Sequence, residues 1–128
     1  MRSPSAVIAE TVRAAGRDAD GVVYLPGRRR VWSLADPASV GGLRDLALAG
    51  SPAASRTLYG VEADADTIRA RMLATPRILA VGDPAGQPLD RTAQEAAKRE
   101  VLDTAFEECR TWRFPAARIV LYARPGHC

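Results

Sequence analysis

Two short apolar runs without polar alternation restrict the fold of this 128-residue sequence more than any other feature. They are residues 21–26 (GVVYLP) and residues 77–82 (RILAVG). A strand with one wetted face alternates apolar and polar residues, whereas a strand buried on both faces is apolar throughout. Strands of the second kind belong to parallel sheets covered by helices on both faces. The two runs therefore predict an α/β protein.

Helix signals alternate with these runs along the chain. Ser5 is placed to cap a first helix that stops at Gly16, and Asp64 is placed to cap a short helix that ends before Pro76. The capping box at residues 92–95 (TAQE) opens the longest helix. Its apolar positions share one face: Ala97, Val101, Leu102, Ala105 and Phe106.

Three further segments complete the expected architecture. Residues 43–48 are a weak candidate for a second strand, and residues 109–114 and 118–123 are expected to pair as an antiparallel hairpin. The resulting prediction is a small three-layer, Rossmann-like α/β sandwich. Its sheet is mostly parallel, has four or five strands and carries the hairpin at its C-terminal end.

Length and composition bound the domain count and the partners. One domain over residues 1–128 fits this length, with residues 1–4 and 125–128 expected to fray. The net charge is +3, but the basic residues are scattered apart from Arg28, Arg29 and Arg30, and aromatic residues are only 5%. A nucleic-acid domain concentrates its bases and interleaves aromatics, so no nucleic-acid partner is expected.

The loops after the two buried strands are the candidate ligand-binding segments, since open α/β sheets bind ligands at the carboxyl ends of their strands. After the first come Arg28, Arg29 and Arg30, which are suited to an anionic group or are simply a solvated charge run. After the second comes Asp83, in a glycine-containing loop without the dinucleotide-binding spacing. A small polar loop adds three weak candidates: Ser51, Ser55 and Tyr59.

The sequence offers no convincing catalytic or metal-binding set, and no cofactor is expected. His127, the single histidine, is the penultimate residue and is expected to be exposed. The two cysteines leave two interpretations open. Cys109 is either a small buried thiol near a helix end, which the sequence favours, or the partner of Cys128 in a disulfide of an oxidising compartment.

Several segments resemble a known family. The chain resembles the C-terminal domain, outside the membrane, of actinobacterial glycosyltransferases of the protein-mannosyltransferase type (family 39). The resemblance covers about residues 18–124 and is carried by six segments in order: residues 18–26 (DADGVVYLP), 42–46 (GLRDL), 51–55 (SPAAS), 57–62 (TLYGVE), 77–82 (RILAVG) and 119–124 (IVLYAR).

The resemblance implies an accessory role. Family members join a membrane body, which carries the catalytic acids and takes a polyprenyl-phosphate sugar, to a small domain outside it. None of that body is present in this sequence, so no catalytic residue carries over and the chain alone is not expected to be an enzyme. The implied role is recognition of lipid-linked sugar or acceptor beside that body, in the same chain or another.

The implied location is extracytoplasmic, and it makes the disulfide as favoured as the free thiol. Without the resemblance, a cytoplasmic location is expected. Two alternatives then remain: a free-standing domain that binds a small ligand or nucleotide, and a structural or oligomerisation module.

Overall fold

A computed structural model describes residues 3–128. The helices are α1 (Pro4–Gly16), α2 (Val31–Leu34), α3 (Pro52–Ser55), α4 (Ala65–Leu73) and α5 (Ala93–Ala105), with 3₁₀ turns at Gly27–Arg30 and Pro37–Val40. The strands are β1 (Gly21–Leu25), β2 (Arg44–Asp45), β3 (Leu48–Gly50), β4 (Val61–Glu62), β5 (Arg77–Gly82), β6 (Glu107–Arg113) and β7 (Arg118–Ala123).

A five-stranded mixed sheet forms the centre of the protein, in the order β2-β1-β5-β7-β6. β1 lies parallel to both β2 and β5, and its register with β5 runs from Gly21 opposite Ile78 to Leu25 opposite Gly82. β7 lies antiparallel to β5 and to β6. The structure therefore confirms the α/β sandwich, the two parallel strands and the C-terminal hairpin.

The two faces of β1 and β5 pack into separate cores, which explains why neither strand alternates. Val23 and Ile78 face a core completed by α4 and α5, with Ile68 among its members. Val22 and Leu79 face the opposite core, which α1 covers. Each strand is thus apolar at odd and even positions alike, as burial on both faces requires.

The middle of the chain departs from the sequence prediction. Only Arg44–Asp45 of the expected second strand pairs with β1, and Leu48–Gly50 instead forms a separate antiparallel pair with β4. Ser51 then caps α3, so part of the expected loop is helical. Strands of two or three residues carry too few positions to show a period, so the sequence pattern did not reveal them.

Two helix ends also differ from prediction. Ser3, rather than Ser5, caps α1, and its hydroxyl accepts a bond from the Ala6 amide. Pro4 accounts for this, because its fixed φ suits the first helical position. Helix α5 ends at Ala105, so Phe106 is extended and buried beyond the helix, and Glu107 begins β6.

The last residues of the described chain are held by contacts of their own. Residues 1 and 2 lie outside the described part of the chain. Near the C-terminus the Gly126 amide donates to the Glu107 carboxylate at 2.8 Å, and Arg77 donates to the His127 carbonyl at 2.8 Å. Cys109 of β6 is joined to Cys128 by a disulfide, with Cα atoms 5.3 Å apart. The thiol of Cys109 is therefore not free in this structure.

Reduction should destabilise the protein. The two cysteines are 19 residues apart in sequence, and closing a loop of this size restricts the unfolded chain by about 3 kcal/mol. We expect dithiothreitol to lower the urea midpoint accordingly. A Cys109→Ser/Cys128→Ser variant serves as control, since its midpoint should not respond to the reductant. An unchanged wild-type midpoint would contradict the linkage.

Candidate functional site

A crevice of about 270 Å³ with mixed polar and apolar walls opens where the carboxyl ends of β1 and β5 meet. Its walls come from these strands, β7, α5 and the loop after β5. The charged residues and the tyrosine of its lining are Asp83, Asp90, Glu95, Arg99, Asp103, Arg118 and Tyr122. Open α/β sheets place ligands at this position, so the crevice is the candidate site.

Small residues on the sheet make room for the crevice beneath α5. Ala80 pairs with Val120, and Gly82 pairs with Arg118, on adjacent strands that line the crevice. A Cβ on Gly82 would lie 2.8 Å from the Leu25 carbonyl oxygen. Glycine is therefore required for β1 and β5 to approach each other at this end of the sheet.

A cluster of buried charges lies behind the crevice; we call it the ion cluster, comprising Arg30, Asp45, Glu62, Glu95 and Lys98. Lys98 is fully buried in α5. Its Nζ donates to Glu95 Oε2 at 2.8 Å, to Glu62 Oε2 at 2.8 Å and to the Tyr24 carbonyl at 2.7 Å. All three donor positions of the ammonium are thus used.

Arg30 holds the other half of the ion cluster. Its Nε donates to Asp45 Oδ2 at 2.6 Å, and its Nη2 donates to Asp45 Oδ1 and Glu62 Oε2, both at 3.1 Å. The guanidinium also lies 4.9 Å from the centroid of the Tyr24 ring. Burial raises the pKa of Tyr24 to about 12, and its hydroxyl donates to Ser33. The tyrosine is therefore neutral at physiological pH.

Glu95 belongs to both the ion cluster and the crevice wall. It is 3% exposed, and its Oε2 also accepts a bond from the Gly27 amide at 3.2 Å. Its Oε1 has no hydrogen-bond partner among the described residues. Burial raises the pKa of this carboxyl above its ordinary value and outweighs the opposing effect of Lys98. This oxygen is almost completely enclosed by protein, so it is an unsatisfied polar atom of the ion cluster and not an exposed contact of the crevice.

The basic run does not form an open anion site. Arg30 is only 3% exposed and is consumed by the ion cluster, so it cannot be a solvated ligand-binding side chain. Arg29 forms an ion pair with Asp83, and Arg28 lies 3.7 Å from the same carboxylate. The structure thus brings Arg28, Arg29 and Asp83 together at the strand ends, but each cation already faces a carboxylate.

The other three predicted site residues lie apart from the crevice lining. The Ser51 hydroxyl accepts a bond from the Ala54 amide at 3.1 Å, which is an N-cap role. The Ser55 hydroxyl donates to the Ser51 carbonyl at 2.7 Å. Tyr59 is partly exposed, and its carbonyl accepts a bond from Arg30 at 3.0 Å. None of the three is among the residues that line the crevice.

Sequence reasoning missed Lys98 and Glu62 and treated Glu95 only as a capping residue. One signal was available. Lys98 is the only lysine of an arginine-rich chain, and it precedes Val101 and Leu102 by three and four positions, which places it on the buried face of the helix. Glu95, one turn earlier, lies on the same face and is its natural partner.

Comparison with known proteins finds no relative of this chain. No protein-family model matches the chain, and neither a curated protein nor a solved structure matches it. None of the helices within residues 3–128 combines the length and hydropathy that a bilayer crossing needs. Over the same residues, no three histidine, cysteine or acidic side chains are grouped so that they could hold a metal ion.

Removing the buried ammonium should strongly destabilise the protein. Lys98→Met leaves Glu62 and Glu95 without their shared cation, and loss of one partner of a buried ion pair costs about 3–5 kcal/mol. Urea unfolding measures this. Arg69→Met, which removes an exposed pair with Asp66, is the matched control and should cost less than about 1 kcal/mol. Equal losses in both variants would contradict the assignment.

The stability of the protein should also depend on pH through Glu95. Since the folded-state pKa is raised, its stabilising contribution is complete below about pH 4.5, the ordinary value, and is lost as the pH rises through the raised pKa. We therefore expect wild-type stability to fall relative to Glu95→Gln as the pH rises above about 4.5. Parallel stability profiles for the two proteins would be inconsistent with this shift.

Proposed function

We propose that this chain is a non-catalytic recognition domain that acts on the extracytoplasmic side of a polyprenyl-phosphate-sugar-dependent, mannosyltransferase-like membrane enzyme. The observation that carries the recognition role is the crevice at the strand ends with an ion cluster behind it. The enzyme context is supported by the sequence resemblance alone. The membrane-embedded body would be its partner, in the same chain or another.

The charges around the crevice favour binding over chemistry. Asp83, Glu95 and Arg118 each have a counter-ion at hydrogen-bonding distance, supplied by Arg29, Lys98 and Glu108. His127 is exposed near the C-terminus and does not line the crevice. A charge held by a fixed partner orients a ligand well, but it is poorly suited to give up or take a proton during turnover.

The disulfide supports the proposed location. Disulfides persist in oxidising compartments outside the cytoplasm and are rare in cytosolic proteins. The Cys109–Cys128 bond ties the C-terminal residue to β6, the edge strand of the sheet. A domain exposed outside the membrane would retain that bond, whereas the cytoplasmic thiol pool would tend to reduce it.

Titration followed by amide NMR tests the proposal. We expect a short-chain polyprenyl-phosphate mannose, or an acceptor peptide, to shift the amide signals of Gly82, Asp83 and Arg99, which line the crevice. The amide signals of Thr11 in α1 and Arg110 in β6, which do not line it, should stay fixed. No transfer product should form when donor and acceptor are both present. A domain that gave no crevice shifts with either probe would overturn the proposal.

Shifts produced only by a nucleoside diphosphate would instead support the free-standing nucleotide-binding alternative. The same sample therefore separates the two functions.

A further inference from the structure

We propose that two copies of this chain pair edge to edge through β6, in antiparallel direction, so that their five-stranded sheets join into one. A dimer of this kind goes beyond the proposed recognition role and does not depend on it, since no residue of β6 lines the crevice. Three features of this strand support the pairing: its open edge, its bulge and the order of its charges.

The outer edge of β6 carries backbone groups that β7 does not use. β6 has seven residues and lies at one end of the sheet, where it pairs with β7 alone within residues 3–128. Beside the hairpin turn, the Phe114 amide donates to the Ala117 carbonyl at 2.8 Å. Since hydrogen-bonded and non-hydrogen-bonded pairs alternate along an antiparallel ladder, the N–H and C=O groups of Thr111 and Arg113 point away from β7. Such an edge is a template for another strand.

The bulge at Cys109 makes the charges of β6 symmetric about Thr111. The register on β7 passes from Glu108 directly to Arg110. Counted along β7, Glu108 and Arg113 therefore each lie two positions from Thr111, one on either side, and on the same face of the sheet. A twofold axis through Thr111 would set Glu108 of each copy opposite Arg113 of the other. Bulges often protect an edge from pairing, but this one brings opposite charges into register.

One copy alone leaves the charge of Arg113 unbalanced. Arg113 lies directly opposite Arg118 on β7, and like charges in that position repel each other. Within residues 3–128, Arg113 has no ion-pair partner. Arg118 donates to Glu108 Oε1 at 2.5 Å, so the other oxygen of this carboxylate can accept a bond from Arg113 of the second copy. Each copy thus supplies the acid that the arginine of the other copy lacks.

The face of β6 that lies toward α1 is also complementary to a second copy. Arg110 and Trp112 flank Thr111, and within one copy the guanidinium lies 4.7 Å from the centroid of the Trp112 ring. In the proposed register, Arg110 of one copy is opposite Trp112 of the other, a favourable pair of cation and aromatic ring. A groove of about 280 Å³ beside this half-buried ring is lined by Glu10 and Asp18 and gives the second guanidinium room.

Sedimentation velocity of the 128-residue chain, with its disulfide intact, tests the dimer. We expect a species of twice the monomer mass to accumulate as the concentration rises toward millimolar. Arg113→Glu should weaken the association by about tenfold or more, because it sets two like-charge pairs across the interface. Arg44→Glu is the matched control, since it reverses an exposed charge on β2 at the other end of the sheet, and it should leave the association unchanged.

Two further variants separate the interface from the fold. Glu108→Arg/Arg113→Glu exchanges the two charges and should recover the dimer that Arg113→Glu loses. Thr111→Pro deletes an N–H that β7 does not use, so it should keep the circular dichroism of the folded chain and lose the dimer. A wild type that stays monomeric at every concentration would overturn the proposal. So would a dimer that withstands Arg113→Glu, or a charge-exchange variant that associates no better than the single variant.

Discussion

The Lys98 ammonium is the interaction on which the arrangement of the domain depends. It joins α5 to the backbone of β1 through the Tyr24 carbonyl and to β4 through Glu62. Burying an ion costs several kcal/mol, and attraction offsets this only when every hydrogen bond is made. A slip of α5 along the sheet would break the bonds from Lys98 to the Tyr24 carbonyl and to Glu62, although its pair with Glu95 on the same helix would move with it. The cluster therefore penalises other placements of the helix more strongly than apolar packing would.

The same constraint explains the turn after β1. A Cβ on Gly27 would lie 2.7 Å from Glu62 Oε2, so a larger residue would displace the carboxylate that links Lys98 with Arg30. Glycine lets the backbone pass close enough for its amide to reach Glu95. The 3₁₀ turn that follows then carries Arg30 inward, while Arg28 and Arg29 remain outside beside Asp83.

The elements that could be predicted from the sequence are those whose residue pattern lies within one continuous segment. β1, β5 and the C-terminal hairpin are marked by their own residues, because burial on both faces or a short turn leaves a pattern within one segment. The ion cluster draws its members from positions 30, 45, 62, 95 and 98, so no local window contains it. A charged residue is ordinarily solvated, and that expectation made Arg30 look like a surface group.

The buried charges also determine what the crevice can select. Arg29 pairs with Asp83, and Lys98 pairs with Glu95. The negative electrostatic potential in the crevice is therefore weaker than its number of acidic residues suggests. Discrimination then depends on the directions of individual hydrogen bonds rather than on net charge. A wall fixed by the ion cluster keeps those directions constant, because moving Glu95 would break its bonds to both Lys98 and Gly27. In the recognition role that we propose, rigidity of this kind would favour a ligand of matching shape, since the site is ordered before the ligand arrives.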